Sequence, residues 1–283
     1  DDLLETNPLA TTYTNTTPYN QILFVRTEQA NNCYGISELT LKVKRIPQLK
    51  ADENAYYCLN TFPEAITLDG GVINDIPNNY YYHWSTGETT MQIQVNATGI
   101  YTVTATNASG CSKTRTITVL PSNIASIVSM DVEDASNNNR ITVMVTGEGT
   151  YAYALDNSNG PYQDNNVFEN VPAGIHTVYV KDIKNDCGTV TQDISVIGFP
   201  KYFTPNNDGY NDTWQVFGIS PQFQPNTKVL IFSRYGKLLR TLSLQSGGWD
   251  GTFNGHLMPT DDYWFYVTLE DGRIFKGHFT LKI

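Results

Sequence analysis

Apolar and polar residues alternate at period two along most of this chain. Residues 99–107 read Gly-Ile-Tyr-Thr-Val-Thr-Ala-Thr-Asn, and in the run that follows Ile117 and Val119 alternate with Thr116 and Thr118. Such alternation sets one face on a core and the other in water, as in a half-buried β-strand. The two runs flank Ala108-Ser-Gly-Cys111 and predict a hairpin with the cysteine in its turn. The pattern returns at residues 174–182, with Cys187 in the turn and residues 188–196 as the return strand. A fainter copy has residues 22–28, Cys33 in the turn, and a strand ending at Val43. The three cysteines stand 78 and 76 residues apart. A solenoid repeats every 20–50 residues or so, so the longer period predicts small β-sandwiches, each closed by the hairpin that carries its cysteine. No long 3.6-residue apolar stripe occurs, and the fold class is all-β.

Proline and glycine mark the joints, because they remove ladder hydrogen bonds and end strands. Ile46-Pro47 ends the first copy, so residues 1–46 read as the rear part of a domain. Residues 47–122 form a complete unit ending at Pro121-Ser122, residues 123–197 form the next, and Gly198-Phe199-Pro200 opens the last, 198–283. In that last segment Phe265, Val267 and Leu269 alternate with Trp264, Tyr266 and Thr268. Asp271-Gly272 is read as a two-residue type I′ turn, whose central positions both need φ > 0, and residues 279–283 as the returning strand, either core or edge. Asp1-Asp2-Leu3-Leu4-Glu5 lacks the basic and apolar regions of a signal peptide, and the chain reads as a piece of something longer.

Composition narrows the classes. Charged residues are only 16% and aromatics 12%, with 18 tyrosines, which excludes a coiled coil and argues against disorder. A net charge of −10 makes nucleic acid and an anionic membrane poor partners, since both need clustered Lys and Arg. No apolar run approaches the roughly 20 residues that span a bilayer, so no membrane insertion of its own is expected.

Two resemblances follow. With Tyr82-His83-Trp84-Ser85-Thr86-Gly87 and Gly99-Ile100-Tyr101-Thr102-Val103, residues 47–122 resemble bacterial immunoglobulin-like and PKD-type surface repeats. In such sandwiches a buried Trp packs the core and a Tyr anchors a corner; in the next unit His176 replaces Tyr101, which puts that corner in question. Residues 198–283 carry four motifs in order: residues 199–214, the strand 229–239, Gly248-Trp-Asp-Gly-Thr-Phe-Asn-Gly255, and Asp262-Tyr-Trp-Phe-Tyr-Val267. They resemble the gliding-motility-associated C-terminal domain, the type B sorting domain of Bacteroidota type IX secretion. The resemblance implies a folded β-sandwich that directs its passenger across the outer membrane, a periplasmic stage with disulfides, and a final home on the cell surface or in the medium. It implies as partners the type IX outer-membrane translocon and associated β-barrel proteins. Where the family has Pro-Asp-Gly-Thr-Tyr, this chain has Pro259-Thr-Asp-Asp-Tyr263, which questions a turn with φ > 0 there.

Candidate chemistry is sparse. His83, His176, His256 and His278 are scattered over three units without metal-ligand spacing, and Asp261-Asp262 lacks an opposed partner across a cleft, so no enzyme is expected. Asn206, Asp208 and Asp212 resemble the middle of a calcium loop around Gly209, but Thr204 and Gln215 stand where Asp and Glu are normal. Calcium binding there would be weak; a tight Asx turn is the favoured reading and no cofactor is expected. In Tyr80-Tyr81-Tyr82-His83-Trp84, alternation sends Tyr80, Tyr82 and Trp84 to one face, read as core rather than a sugar platform. Among the cysteines, only the 47–122 unit holds a second one, so Cys58 and Cys111 are expected to pair, leaving Cys33 and Cys187 free. The closed loop of about 54 residues would contribute roughly 4 kcal/mol. The function expected is that of a secreted cell-surface protein, an adhesin, whose upstream sandwiches act as spacers. The alternative is the tail of a secreted polysaccharide-degrading enzyme with a carbohydrate-binding Ig-like domain.

Overall fold

In the computed structural model, residues 12–30, 33–243 and 246–283 are described; the N-terminal residues 1–5 read above and the turn residues 31–32 lie outside them. Every long element is a strand. The chain divides into two compact units, one of residues 1–57 with 62–120, the other of residues 58–61 with 121–283.

The first unit opens with a two-stranded hairpin, β1 (Asn20–Glu28) and β2 (Tyr34–Lys42), in which Leu23 faces Leu39 and Val25 faces Ser37. A sandwich follows. One sheet has the order β3-β8-β7-β5, from β3 (Glu53–Cys58), β5 (Tyr80–Trp84), β7 (Gly99–Asn107) and β8 (Ser112–Ser122). The other pairs β4 (Ile66–Asp69) with β6 (Gln92–Val95). Alternation fills the core with Tyr82, Trp84, Val103, Ala105, Ile117 and Val119, while Tyr81 points outward at 76% exposure. Tyr80 packs against this core from its rim, so the tyrosine run supplies packing and leaves one ring for solvent. Arg115 replaces an apolar residue in the alternation. It is buried, donates to the carbonyls of Ala51 and Asp69, and pairs with Glu53, so one guanidinium fastens β8 to β3 and β4.

The second unit begins with a sandwich of two three-stranded sheets. Their orders are β12-β10-β9 and β11-β13-β14. The strands are β9 (Ser126–Glu133), β10 (Asn139–Thr146), β11 (Tyr151–Leu155), β12 (Val167–Val171), β13 (Gly174–Asp182) and β14 (Thr189–Val196). Val178, Val180 and Val196 are buried where the previous repeat buries Val103, Ala105 and Val119. The tyrosine corner survives its substitution. Tyr101 donates its hydroxyl to the Ala97 carbonyl at 2.9 Å, and His176 reaches the Pro172 carbonyl through Nε2 at 2.8 Å while Nδ1 meets Asp156 at 2.7 Å.

The β13–β14 turn is organised by Asp182, a fully buried carboxylate. It accepts the N–H groups of Thr150, Lys184, Asn185 and Cys187 and the Ser122 hydroxyl. Burial pushes its pKa up, but these donors outweigh burial and hold it below the ordinary value. The turn so fixed presents Cys187, which forms a disulfide with Cys58 at a Cα separation of 5.4 Å. This corrects the expected Cys58–Cys111 pair: Cys111 and Cys33 are the free thiols and Cys187 is bonded. The reason is strand direction. Arg115 and Thr116 bond Ala51 and Asp52 at the start of β3, whereas Asn60, just past its end, accepts the N–H of Ile124 just past β8. β3 and β8 therefore run the same way, and Cys58 lies a full strand, about 30 Å, from the Cys111 turn. Asn60 also donates to the Cys187 carbonyl at 3.1 Å.

The last sandwich centres on a five-stranded sheet of order β15-β21-β20-β16-β17. Its strands are β15 (Tyr202–Phe203), β16 (Lys228–Phe232), β17 (Leu238–Leu242), β20 (Asp261–Thr268) and β21 (Ile274–Leu281); a small ribbon pairs β18 (Thr252–Phe253) with β19 (His256–Leu257). β21 pairs antiparallel with β20 and, at Thr280 and Leu281, parallel with β15, so the returning strand is interior at its end. The connection before it differs from a type I′ turn. Only Gly272 has φ > 0, the N–H of Gly272 donates to Leu269 and that of Leu269 to Arg273, giving a longer turn with one left-handed glycine. Residues 259–263 contain no positive φ, so the absent glycine there costs nothing.

Two outcomes test this architecture. Cys187→Ser lowers the stability of the second unit; the chain-entropy model puts the loss at up to about 5 kcal/mol for a bond spanning 129 residues, and reversible denaturant melts of oxidised and reduced protein measure it. For Asp182 the depressed pKa means its stabilisation is present above the ordinary carboxylate pKa and lost as pH falls through the lower folded value. Melting temperatures from about pH 6 down to pH 3 fall more steeply for wild type than for Asp182→Asn, which starts lower because it leaves buried donors short of an acceptor.

Candidate functional site

The four motifs of the last segment meet in one aromatic core. Trp214 stacks on Phe279 at 4.2 Å and packs against Phe265 at 5.2 Å; Trp249 sits edge-on to Tyr263 at 5.0 Å. Each indole N–H finds a carbonyl, Trp214 that of Pro200 and Trp249 that of Thr252, as burial requires. The backbones of Trp214 and Trp249 pair with each other at 2.9 and 2.8 Å. Tyr263 closes a third corner on the Pro259 carbonyl at 2.8 Å. The motif residues are thus what holds this body together, and its outward face is separate. On that face Trp264 lies between Phe232 and His278, and Tyr266 between Leu230 and Lys276, whose ammonium stands 5.1 Å from the Tyr266 ring. Residues 198–283 hold eight Lys and Arg against seven Asp and Glu, in a chain with net charge −10. This sandwich is tied to the preceding one. Arg273 pairs with Asp134 and Asp271, Asp134 accepts the Ile197 N–H at 3.0 Å, and Ser195 donates to the Gly218 carbonyl at 2.6 Å.

The calcium-loop residues are drawn together, but toward their own backbone. Asp212 accepts the N–H groups of Asn207 and Gly209 at 2.7 and 2.9 Å. Asp208 accepts the Tyr210 N–H at 2.8 Å and the Asn206 amide at 2.9 Å, bonds that hold its pKa below the ordinary value. Positive φ at Asn207, Gly209 and Asn211 completes the turn. Among the described residues no group of three or more His, Cys, Asp or Glu is placed to hold a metal ion. The other candidates are dispersed. His83, His256 and His278 are exposed, and His176 serves its corner. Asp261 caps the Asp262 N–H, while Asp262 accepts the Thr280 hydroxyl. A cavity of about 580 Å³ in the first unit is lined by Tyr19, Arg45, Asn74, Asp75, Tyr80 and Asn107 among others. Its clearest internal bond is from the Tyr80 hydroxyl to Asp75. What sequence reasoning missed, the bonds of Ser122 and Thr150 to Asp182 and the Arg273–Asp134 pair, joins residues far apart in the chain and left no local signal.

These features define an all-β protein of tandem sandwiches ending in a compact aromatic one. Residues 197–281 match the CHU_C Type IX secretion signal domain, and residues 1–47 match the Flavobacterium inter-domain disulphide bond domain. The chain thus carries a type IX secretion signal preceded by β-sandwich repeats, and the protein is exported to the cell surface or extracellular space. No helix among the described residues is long and apolar enough to cross a membrane. No curated protein matches the chain. Among solved structures it is similar to Sidekick-1 immunoglobulin domains 1–5, at 14% identity and TM-score 0.35, covering 92% of this chain and 65% of that one. The first eight Ig domains of Down Syndrome Cell Adhesion Molecule match at 12% identity and TM-score 0.34, over 95% of this chain and 44% of that one. A calcium-stabilised ice-binding adhesin of an Antarctic bacterium matches at 11% identity and TM-score 0.29, over 93% and 82%. The chain spans less than two thirds of the first two structures' own length.

One measurement tests the loop. Because its carboxylates already accept backbone N–H groups, the melting temperature is expected to be the same with millimolar calcium and with chelator. A marked rise with calcium would make Asn206, Asp208 and Asp212 ligands after all, since a ion bound only by the native state must stabilise it.

Proposed function

We propose that this chain serves a cell-surface adhesin: residues 197–283 are read, folded, by the type IX outer-membrane translocon and its associated β-barrel proteins, and the Ig-like sandwiches hold the adhesive part away from the membrane. The observation that carries this reading is the coincidence of the secretion-signal match with a self-contained aromatic core. A signal whose motif residues are buried is recognised as a folded surface, not as a linear peptide. The outward row of Trp264, Tyr266 and Lys276 is the surface such a partner meets, with Trp and Tyr rings of the kind enriched in binding patches. The dispersal of histidines and carboxylates supports a non-catalytic role.

The test is a fusion of residues 197–283 to a fluorescent protein behind an inner-membrane signal peptide, in a type IX-competent bacterium. Fluorescence is expected at the surface or in the medium, as for residues 123–283. Periplasmic retention of both fusions counts against the reading. Retention of the shorter one alone shows that the preceding sandwich, bonded through Asp134, is part of the signal.

A further inference from the structure

We propose that the end of the 47–122 sandwich marked by the β7–β8 turn is a binding site for an acidic saccharide, a sugar that carries a carboxylate. The site is the cavity of about 580 Å³ described above. That volume falls within the roughly 300–1,000 Å³ of small-ligand sites. Three segments line most of it: residues 45–48 at the entry to the repeat, residues 73–79 before β5, and residues 107–109 after β7. Loops gathered at one end of a rigid sandwich are a usual place for binding.

The following repeat shows that the space is not a by-product of the fold. There Tyr151 opens β11 opposite Asp182, as Tyr80 opens β5 opposite Asn107. In that repeat the corner is filled. Asp182 draws in Thr150 and Ser122 besides its own turn, and the Tyr151 hydroxyl bonds the Asn123 carbonyl. A Cβ added at Gly149 would stand only 2.6–2.7 Å from Tyr151, Asn123 and Asp182. In the 47–122 repeat the Asn107 side chain accepts the N–H groups of Ser109 and Cys111 and donates to the Arg45 carbonyl. The Tyr80 hydroxyl turns instead to Asp75, and the corner stays open.

The charges of the lining select an anion. They are Arg45 and Lys113 against Asp75, in a chain whose net charge is −10. Asp75 already accepts the Tyr80 hydroxyl and the Ile76 N–H, both at 2.7 Å. Among the described residues no hydrogen bond or ion pair takes up the Arg45 guanidinium or the Lys113 ammonium. Arg45 lies 4.2 Å over the Tyr19 ring. Stacking uses the face of the guanidinium and leaves its N–H edge free, the edge that grips a carboxylate by two parallel bonds. Tyr19 has φ 69, an outlier for so bulky a residue. Strain of this kind collects at ligand sites.

The remaining lining selects a sugar among anions. Asn74 and Asn79 present amides, which both donate and accept, as a sugar hydroxyl does. The Asn79 amide is without a protein partner among the described residues. Tyr80, packed at the rim of the core, offers a ring to the C–H face of a pyranose. A purely apolar ligand would strand these amides and charges. The site gives a binding role to a sandwich otherwise read as a spacer, and it does not depend on how the last sandwich is read during export.

The experiment is calorimetric titration of the 283-residue chain with trisaccharides of galacturonate, glucuronate, mannuronate and guluronate, each beside its methyl ester. The ester keeps the hydroxyls and removes the charge. At least one acid is expected to bind, with its ester weaker by roughly tenfold or more, as loss of a charged hydrogen-bonded pair implies. Its affinity is expected to fall as salt rises. Arg45→Gln is expected to weaken binding by about the same factor, and Lys113→Gln by less, with melting temperatures unchanged because neither side chain bonds the protein. Arg234→Gln, which removes an equal charge from the last sandwich, is expected to leave affinity as it was. Binding of none of the acids overturns the proposal, as does an ester that binds as tightly as its acid. Full affinity in both Arg45→Gln and Lys113→Gln also overturns it, and so does an equal loss in Arg234→Gln, which would make the effect one of net charge.

Discussion

A carboxylate taken out of water must be supplied with hydrogen bonds, and Asp182 is where this protein meets that demand. Its two oxygens collect four backbone N–H groups and one hydroxyl, from the turn, from the loop before β11 and from the entry to the repeat. The N–H groups of Lys184, Asn185 and Cys187 are ones that would otherwise be stranded in a tight turn. The result is a cysteine held at a fixed point in space by the chain around it. A disulfide needs its two Cα atoms about 5.5–6 Å apart, and a floppy turn would meet that requirement only part of the time. The crosslink at Cys187 thus depends on a charge that accepts the cysteine's own N–H at 3.1 Å, and Asn107 does the neutral version of the same work for Cys111.

The same economy governs the secretion signal. Trp214, Trp249, Tyr263 and Phe279 stand in separate sequence motifs, and all four are buried side by side. A linear reader would find them hidden. Packing them fixes the sheet β15-β21-β20-β16-β17, and the pleat then sends Trp264, Tyr266, Lys276 and His278 to the other face. The motif residues and the outward row are therefore two faces of one sheet, coupled by strand alternation. The pairing of Arg273 with Asp134 extends that rigidity into the preceding sandwich, since Asp134 also holds the Ile197 N–H at the joint.

Much of this was legible in the sequence. Period-two alternation placed Tyr82 and Trp84 in a core and set Ile117 with Val119, and Phe265 with Val267 and Leu269, on one face, and the repeat located the closing hairpins. What stayed hidden was pairing across distance. Nothing local states that β3 runs along β8 in the same direction, and that one fact moves Cys58 from beside Cys111 to beside Cys187. The buried Arg115 was equally invisible, because it occupies an inward position of an alternating strand and only the carbonyls of Ala51 and Asp69 reveal why it is tolerated. His176 was a substitution that looked disabling. Its Nε2 stands as far along the side chain as the corner requires, so imidazole replaces phenol on the carbonyl four residues back.

The crosslink also changes how such a chain carries load. Tension applied along a polypeptide follows the shortest covalent route, and from Cys58 that route passes through the disulfide to Cys187. The 128 residues between them, β4 to β13, lie in a closed loop and feel no pull until the sulfur–sulfur bond breaks. Hydrogen bonds of strands are individually worth only about 1 kcal/mol net, so a covalent bypass protects sandwiches that forced opening would otherwise unzip. Residues 198–283, which lack cysteine, lie outside this loop and take any pull on a single strand of chain.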